Sequence, residues 1–245
     1  MSGRVLSFTT PAGTVAVRVR DCVVAGWTGR DKAALDHHIE ELAAIGVPGP
    51  SKVPLYYRVA AAQVVQSDTV QVLGAWKPYA EVLHRALERV CKRWAVAFEA
   101  ADAQAIVDAI PSWGPHADVP AALARVAEQI PLVILSNAAD AQIQSNVEKL
   151  GAPFHAVLTA EQAQAYKPRL QAFEYMFDTL GCGPEHFMHV SSSLRYDLMS
   201  ASDLRIGRRV FVERGHGPGN PAYGYRAIAD LGGLPDLLGI GEAVH

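Results

Sequence analysis

From about Ala75 onward the apolar residues fall into two alternating kinds of run. Long stretches carry them at three- and four-residue spacing, the stripe of an amphipathic helix, and between these lie short runs that are apolar nearly throughout. The spacing predicts helices over 77–96, 101–110, 119–129, 139–150, 170–180 and 196–204, the second closed by Pro111. The short runs predict strands at Pro131–Leu135, Ala156–Leu158, Phe187–Val190 and Arg209–Val212. Continuous apolar strands separated by helices imply an α/β fold: a parallel, Rossmann-like sheet with helices on both faces, wound through right-handed crossovers.

Upstream of Ala75 the period changes. Val15, Val17 and Val19, then Val23 and Val24, alternate as strands, with Pro11–Thr14 as a turn between two short strands, the pattern of a hairpin. Asp31–Ile45 carries Leu35, Ile39, Leu42 and Ala43 at helical spacing and stops at Gly46, with Pro48 and Pro50 beyond. Tyr56–Val65 fits a helix or a strand, and Thr69–Leu73 alternates up to Gly74. This first stretch reads as β-rich with one good helix.

Half of the 245 residues are hydrophobic and 19% are charged, enough apolar surface to offset the entropy of ordering a core. The net charge of −3, with no long basic run, excludes an electrostatic footprint for nucleic acid. The first residues show no leader pattern, and no window approaches the roughly 18 apolar residues of a membrane span. No membrane partner is expected, and the cytoplasm is the expected compartment. Cys22, Cys91 and Cys182 have neither metal-ligand nor redox spacing and read as reduced, buried thiols.

In an open parallel sheet, ligands bind beyond the carboxyl ends of the strands, so the polar residues following each apolar run are the candidates for chemistry. Ser136 and Asn137 follow Val133-Ile134-Leu135; they can hold a carboxylate or phosphate oxygen, or cap the next helix. Lys167 and Pro168 stand at the entrance of the 170–180 helix. A lysine there opposes the helix dipole, so either an anionic partner compensates it or the side chain is solvated. His189 and Val190 end a strand and lead into Ser191, Ser192 and Ser193, with Asp197 a helical turn on. The serines can bind an anion or cap a helix, His189 reads as a packing residue, and no glycine flanks a serine as a nucleophile elbow requires. Arg214 reads as a surface charge. His37, His38, Glu40 and Glu41 lack the spacing of a zinc site and read as a solvated helix face.

The order strand then Ser136-Asn137, strand then Tyr166-Lys167-Pro168, strand then serine cluster with Asp197 resembles the second to fourth motifs of the haloacid dehalogenase superfamily. Thr159-Ala160-Glu161-Gln162 and the tail Gly219-Asn220-Pro221-Ala222-Tyr223-Gly224-Tyr225 are similar to the type II 2-haloacid dehalogenase branch. The resemblance implies hydrolysis of 2-haloalkanoic acids through an aspartyl ester, with Lys167 and Asp197 catalytic and Ser136, Asn137 and Ser193 binding a small carboxylate. It implies no cofactor and no metal, because Ser192 stands where the superfamily's magnesium-dependent phosphatases have an acid. It also allows a homodimer. Phe173 stands in place of a common substrate-contacting tyrosine, and Leu194 and Arg195 stand where an asparagine is usual, which leaves the substrate open.

The family's nucleophile is an aspartate ending an apolar strand before a Gly-Thr turn. Nothing upstream of Ala75 has that form; the nearest candidate, Asp21, runs on into Val23-Val24-Ala25. Val15–Val24 is the front stretch expected to fill the place of the missing strand. Val23–Asp31, His37–Leu42 and Pro54–Val59 resemble an uncharacterised bacterial family and, through it, the fumarylacetoacetate-hydrolase-like fold. The expected organisation is a β-rich segment of foreign type over 1–74, a partial helical cap over 75–118 and an α/β core without its first strand over 119–245. Such a chain is expected to be inactive as a dehalogenase. The alternatives are a non-catalytic carboxylate-binding or anion-binding protein and a magnesium-dependent phosphatase.

Overall fold

The computed structural model describes residues 5–10, 13–18, 74–93, 98–215 and 219–240. The chain divides into two compact units, one of Met1–Gln71 and Ala80–Ile110, the other of Val72–Tyr79 and Pro111–His245. Asp21, Cys22, His37, His38 and the elements expected over 31–45, 56–65 and 69–73 lie outside the described residues.

In the first unit, β1 (Val5–Thr10) and β2 (Gly13–Arg18) form an antiparallel hairpin in which Val5 faces Arg18 and Thr10 faces Gly13. The two strands lie on either side of the turn expected at Pro11–Thr14, with β2 beginning inside it at Gly13. Helix α1 (Tyr79–Arg93) begins directly after Pro78, which cannot donate to a preceding turn and favours a helix start. Its buried stripe is Val82, Leu83, Ala86, Leu87 and Cys91, while Arg85 and Glu81 pair at 2.6 Å on the outer face. Helix α2 (Ala100–Ala109) runs into a short turn over Ile110–Ser112 that contains Pro111.

The second unit alternates helices and strands as the sequence predicts. Helix α3 (Val119–Ala127), β3 (Val133–Ser136), α4 (Asp140–Glu148), β4 (Ala156–Thr159), α5 (Ala160–Ala163), α6 (Leu170–Leu180) and β5 (Met188–Ser191) follow in order. After them come α7 (Met199–Asp203), β6 (Arg208–Val212), β7 (Arg226–Ile228) and α8 (Leu234–Leu237). Among the described residues every strand pair in this unit is parallel: β3 with β4, β5 with β6, and β6 with β7. Helices cover both faces. On one, α6 and α7 bring Phe173, Met176 and Ala201 against Leu158 and Ile206, flanked by Val133, Leu135 and Ala156; on the other, Val126 of α3 packs with Val210, Leu234 and Ile240 beside Met188 and Val190.

The described ladders stop at β3 on one side and at β5 on the other, so among the described residues the parallel strands form two sheets. The stretch expected between them, Val15–Val24, lies partly in β2, whose ladder partner is β1, and partly outside the described residues. One correction concerns Arg214. Its side chain is only 10% exposed and its Nη2 meets Asp118 Oδ2 at 2.5 Å, an oxygen that also accepts the Leu231 N–H at 2.8 Å. Burial pushes the Asp118 carboxyl up, but Arg214 and the Leu231 N–H outweigh it and hold the pKa below its ordinary value. Cys182, expected to be buried, is half-buried.

Candidate active site

The polar residues cluster at the carboxyl ends of β3 and β5, where the helical crossovers begin. Ser136 closes β3 and its Oγ accepts the Ala138 N–H at 3.1 Å, turning the chain toward α4. Asn137 reaches instead to the loop before α6. Its Nδ2 donates to Lys167 O at 3.0 Å, and the Lys167 N–H donates back to Asn137 Oδ1 at 2.8 Å. Lys167 and Pro168 are joined by a cis peptide bond and lie just outside α6, whose N-cap is Arg169. The Pro168 carbonyl accepts from Ser200 Oγ at 2.7 Å.

The Lys167 side chain points to Asp197, with Nζ 2.6 Å from Oδ1. Asp197 sits in a single π-helical turn (Leu194–Leu198) between β5 and α7, a local widening that often marks functional positions. His189 Nε2 lies 3.0 Å from the same Oδ1, and Ser191 Oγ donates to Oδ2 at 2.9 Å. Ser191 in turn accepts the Ser193 N–H at 3.0 Å, and Ser193 Oγ accepts the Tyr196 N–H at 3.0 Å, capping the π turn.

Asp197 is 5% exposed, and burial by itself would raise its pKa. The Lys167 ammonium and the hydrogen bond from His189 overturn that and hold the carboxyl far below the usual range, so it stays ionised. An ammonium carries three donors, so an incoming anion can share Lys167 with Asp197. Both Asp197 oxygens are engaged by neighbouring side chains. Among the described residues no three His, Cys, Asp or Glu side chains are placed to hold a metal ion.

Of the residues singled out in the sequence, Lys167 and Asp197 touch directly, and Asn137 is bound to the Lys167 backbone. Ser136 and Ser193 each cap their own turn. Two residues at the centre of the cluster, His189 and Ser191, were read in the sequence as a packing residue and as one of three anion-binding or capping serines, not as partners of Asp197. Their signal was present: polar residues two apart in an otherwise apolar strand point to one face of the sheet. His189 also packs as expected, its ring 5.4 Å from that of Phe173.

The family described as "Protein of unknown function (DUF2848)" matches residues 25–78, ending where α1 begins. No curated protein matches the chain. Among solved structures, an L-2-haloacid dehalogenase superimposes with a TM-score of 0.63 at 20% identity, covering 85% of this chain and 94% of its own. The L-2-haloacid dehalogenase of Xanthobacter autotrophicus with chloropropionic acid covalently bound gives 0.63 at 18% identity, covering 86% and 94%. A haloacid dehalogenase-type phosphatase from Thermococcus onnurineus gives 0.50 at 17%, covering 87% and 92%. The fold is that of the haloacid dehalogenases. No helix among the described residues is long and apolar enough to cross a membrane.

Proposed function

We propose that the α/β unit is a haloacid dehalogenase-like hydrolase core that binds a small carboxylate at Lys167, and that the chain does not itself dehalogenate 2-haloacids. The observation that carries this reading is the Lys167–Asp197 pair at 2.6 Å, braced by His189 and Ser191 at the mouth of parallel strands. The fold's likeness to dehalogenases, one of them holding a covalently bound chloropropionate, supports the ligand class.

The chemistry explains the second half of the proposal. A carboxylate oxygen must attack the halogen-bearing carbon, the carbon–halogen bond must break with departure of halide, and water must then cleave the ester. Asp197 has both oxygens held by neighbours, and Asp21 is followed by Cys22, Val23 and Val24 rather than a Gly-Thr turn. Lys167 then serves to bind anionic charge, and Asp197 to balance and orient Lys167. Residues 1–74 are proposed as a segment of separate origin, 75–118 as a partial cap and 119–245 as the core, in a cytoplasmic chain that forms a homodimer without cofactor or metal.

The test has two arms. Titration with 2-chloropropionate should perturb the resonances of Lys167 and its neighbours, and Lys167→Met should abolish the effect. Halide release from the same compound should be undetectable with or without magnesium. Binding that survives Lys167→Met contradicts the assignment of the anion site, and halide release contradicts the claim of inactivity. Magnesium-dependent release of phosphate from an aryl phosphate would favour the phosphatase reading to which the Thermococcus onnurineus likeness points.

A further inference from the structure

Both ends of the Asn137 amide bind one residue: Nδ2 donates to the Lys167 carbonyl and Oδ1 accepts the Lys167 N–H. One side chain thus satisfies both backbone groups of a residue in an irregular loop, where no strand or helix would otherwise pair them. The next carbonyl along, that of Pro168, accepts from Ser200 Oγ at 2.7 Å, and Ser200 is 4% exposed. Ser200 lies about one turn beyond Asp197 in the same helical stretch, so the two face the same loop.

The Lys167 loop is therefore gripped from β3 by Asn137 and from α7 by Ser200, and neither grip touches the lysine side chain. That matters because a lysine has a flexible four-carbon stem, and its ammonium meets a buried carboxylate reliably only if its backbone is fixed. We propose that Asn137 and Ser200 are positioning residues, which place Lys167 against Asp197 through its backbone. The proposal rests on the reading of Lys167 as the anion-binding group, and it gives Asn137 a role beyond the ligand binding expected of it.

The experiment uses the full chain labelled with 15N-lysine. An ammonium held on a buried carboxylate exchanges slowly and gives its own resonance, assigned by its absence in Lys167→Met. Asn137→Ala and Ser200→Ala should each broaden or lose that resonance, and Ser200→Thr, which keeps the hydroxyl, should retain it. Ser145→Ala removes a comparable bond, Ser145 Oγ to Pro111 O at 3.2 Å, elsewhere in the same unit and should leave the resonance unchanged. If Asn137→Ala does not fold, Asn137→Asp, which keeps only the acceptor, replaces it and should shift the resonance.

A resonance unchanged in folded Asn137 and Ser200 variants overturns the proposal. So does its loss in Ser145→Ala, which would reveal general loosening, or its absence from the unaltered chain. Addition of 2-chloropropionate to the unaltered chain separates the two claims: no response there defeats the ligand reading and leaves the positioning result standing.

Discussion

Lys167 Nζ and Asp197 Oδ1 meet at 2.6 Å with their side chains only 12% and 7% exposed. Charges so placed lose most of their hydration, so each depends on the other. Replacing Lys167 with Met should leave a buried carboxylate without its cation and destabilise the fold by about 3–5 kcal/mol, the usual consequence of breaking a buried pair from one side. Urea denaturation of the variant beside the unaltered chain measures this; a loss under about 1 kcal/mol would show that the pair is effectively solvated.

The same pair sets an acid limit. Asp197 has a pKa held far below its unfolded value of about 3.9, so the stability it contributes is present above that pH. It is lost as the pH falls through the unfolded value toward the folded one. Urea midpoints should therefore drop steeply between about pH 5 and pH 2, and Asp197→Asn should flatten part of that slope. An equal slope in both chains would assign the acid sensitivity to other carboxylates.

His189 braces the same oxygen at 3.0 Å and packs its ring on Phe173 at 5.4 Å. His189→Ala should cost about 1.5–3 kcal/mol, the range for a hydrogen bond to a charged group. His189→Gln retains a donor and should recover a substantial part of that loss in thermal melts. Equal losses in the two variants would mean that ring packing, not the hydrogen bond, is what His189 supplies.

Activity should be recoverable by grafting. Replacing residues 1–74 with an apolar strand ending in aspartate and a Gly-Thr turn should produce halide release from 2-chloropropionate that depends on the new aspartate and on Lys167. In-line attack is sensitive to placement, a misplacement of about 1 Å costing on the order of a hundredfold, so rates well below those of natural dehalogenases are expected. If the grafted chain folds and binds 2-chloropropionate but releases no halide, the residues around Lys167 do not form a dehalogenase site.

The alternation of helices and strands after Ala75 was legible because it is written in local periodicity. Helix 170–180 has the same bounds in sequence and structure, and the strands at Val133, Ala156 and Arg208 differ only at their ends. Strand β7 was not, since three residues, two of them exposed and Ile228 half-buried, carry no period, and its pairing comes from β6. The positions of Lys167 and Asp197 could be marked from the order of polar residues after apolar runs. Their partners could not. Asn137 and Lys167 are brought together by the crossover between β3 and α6, and Arg214 is buried by an aspartate at the start of α3. A sequence specifies which side chains can donate, accept or carry charge; which of those capacities are used up by a neighbour, and which are left for a ligand, depends on distances that only the packed sheet sets.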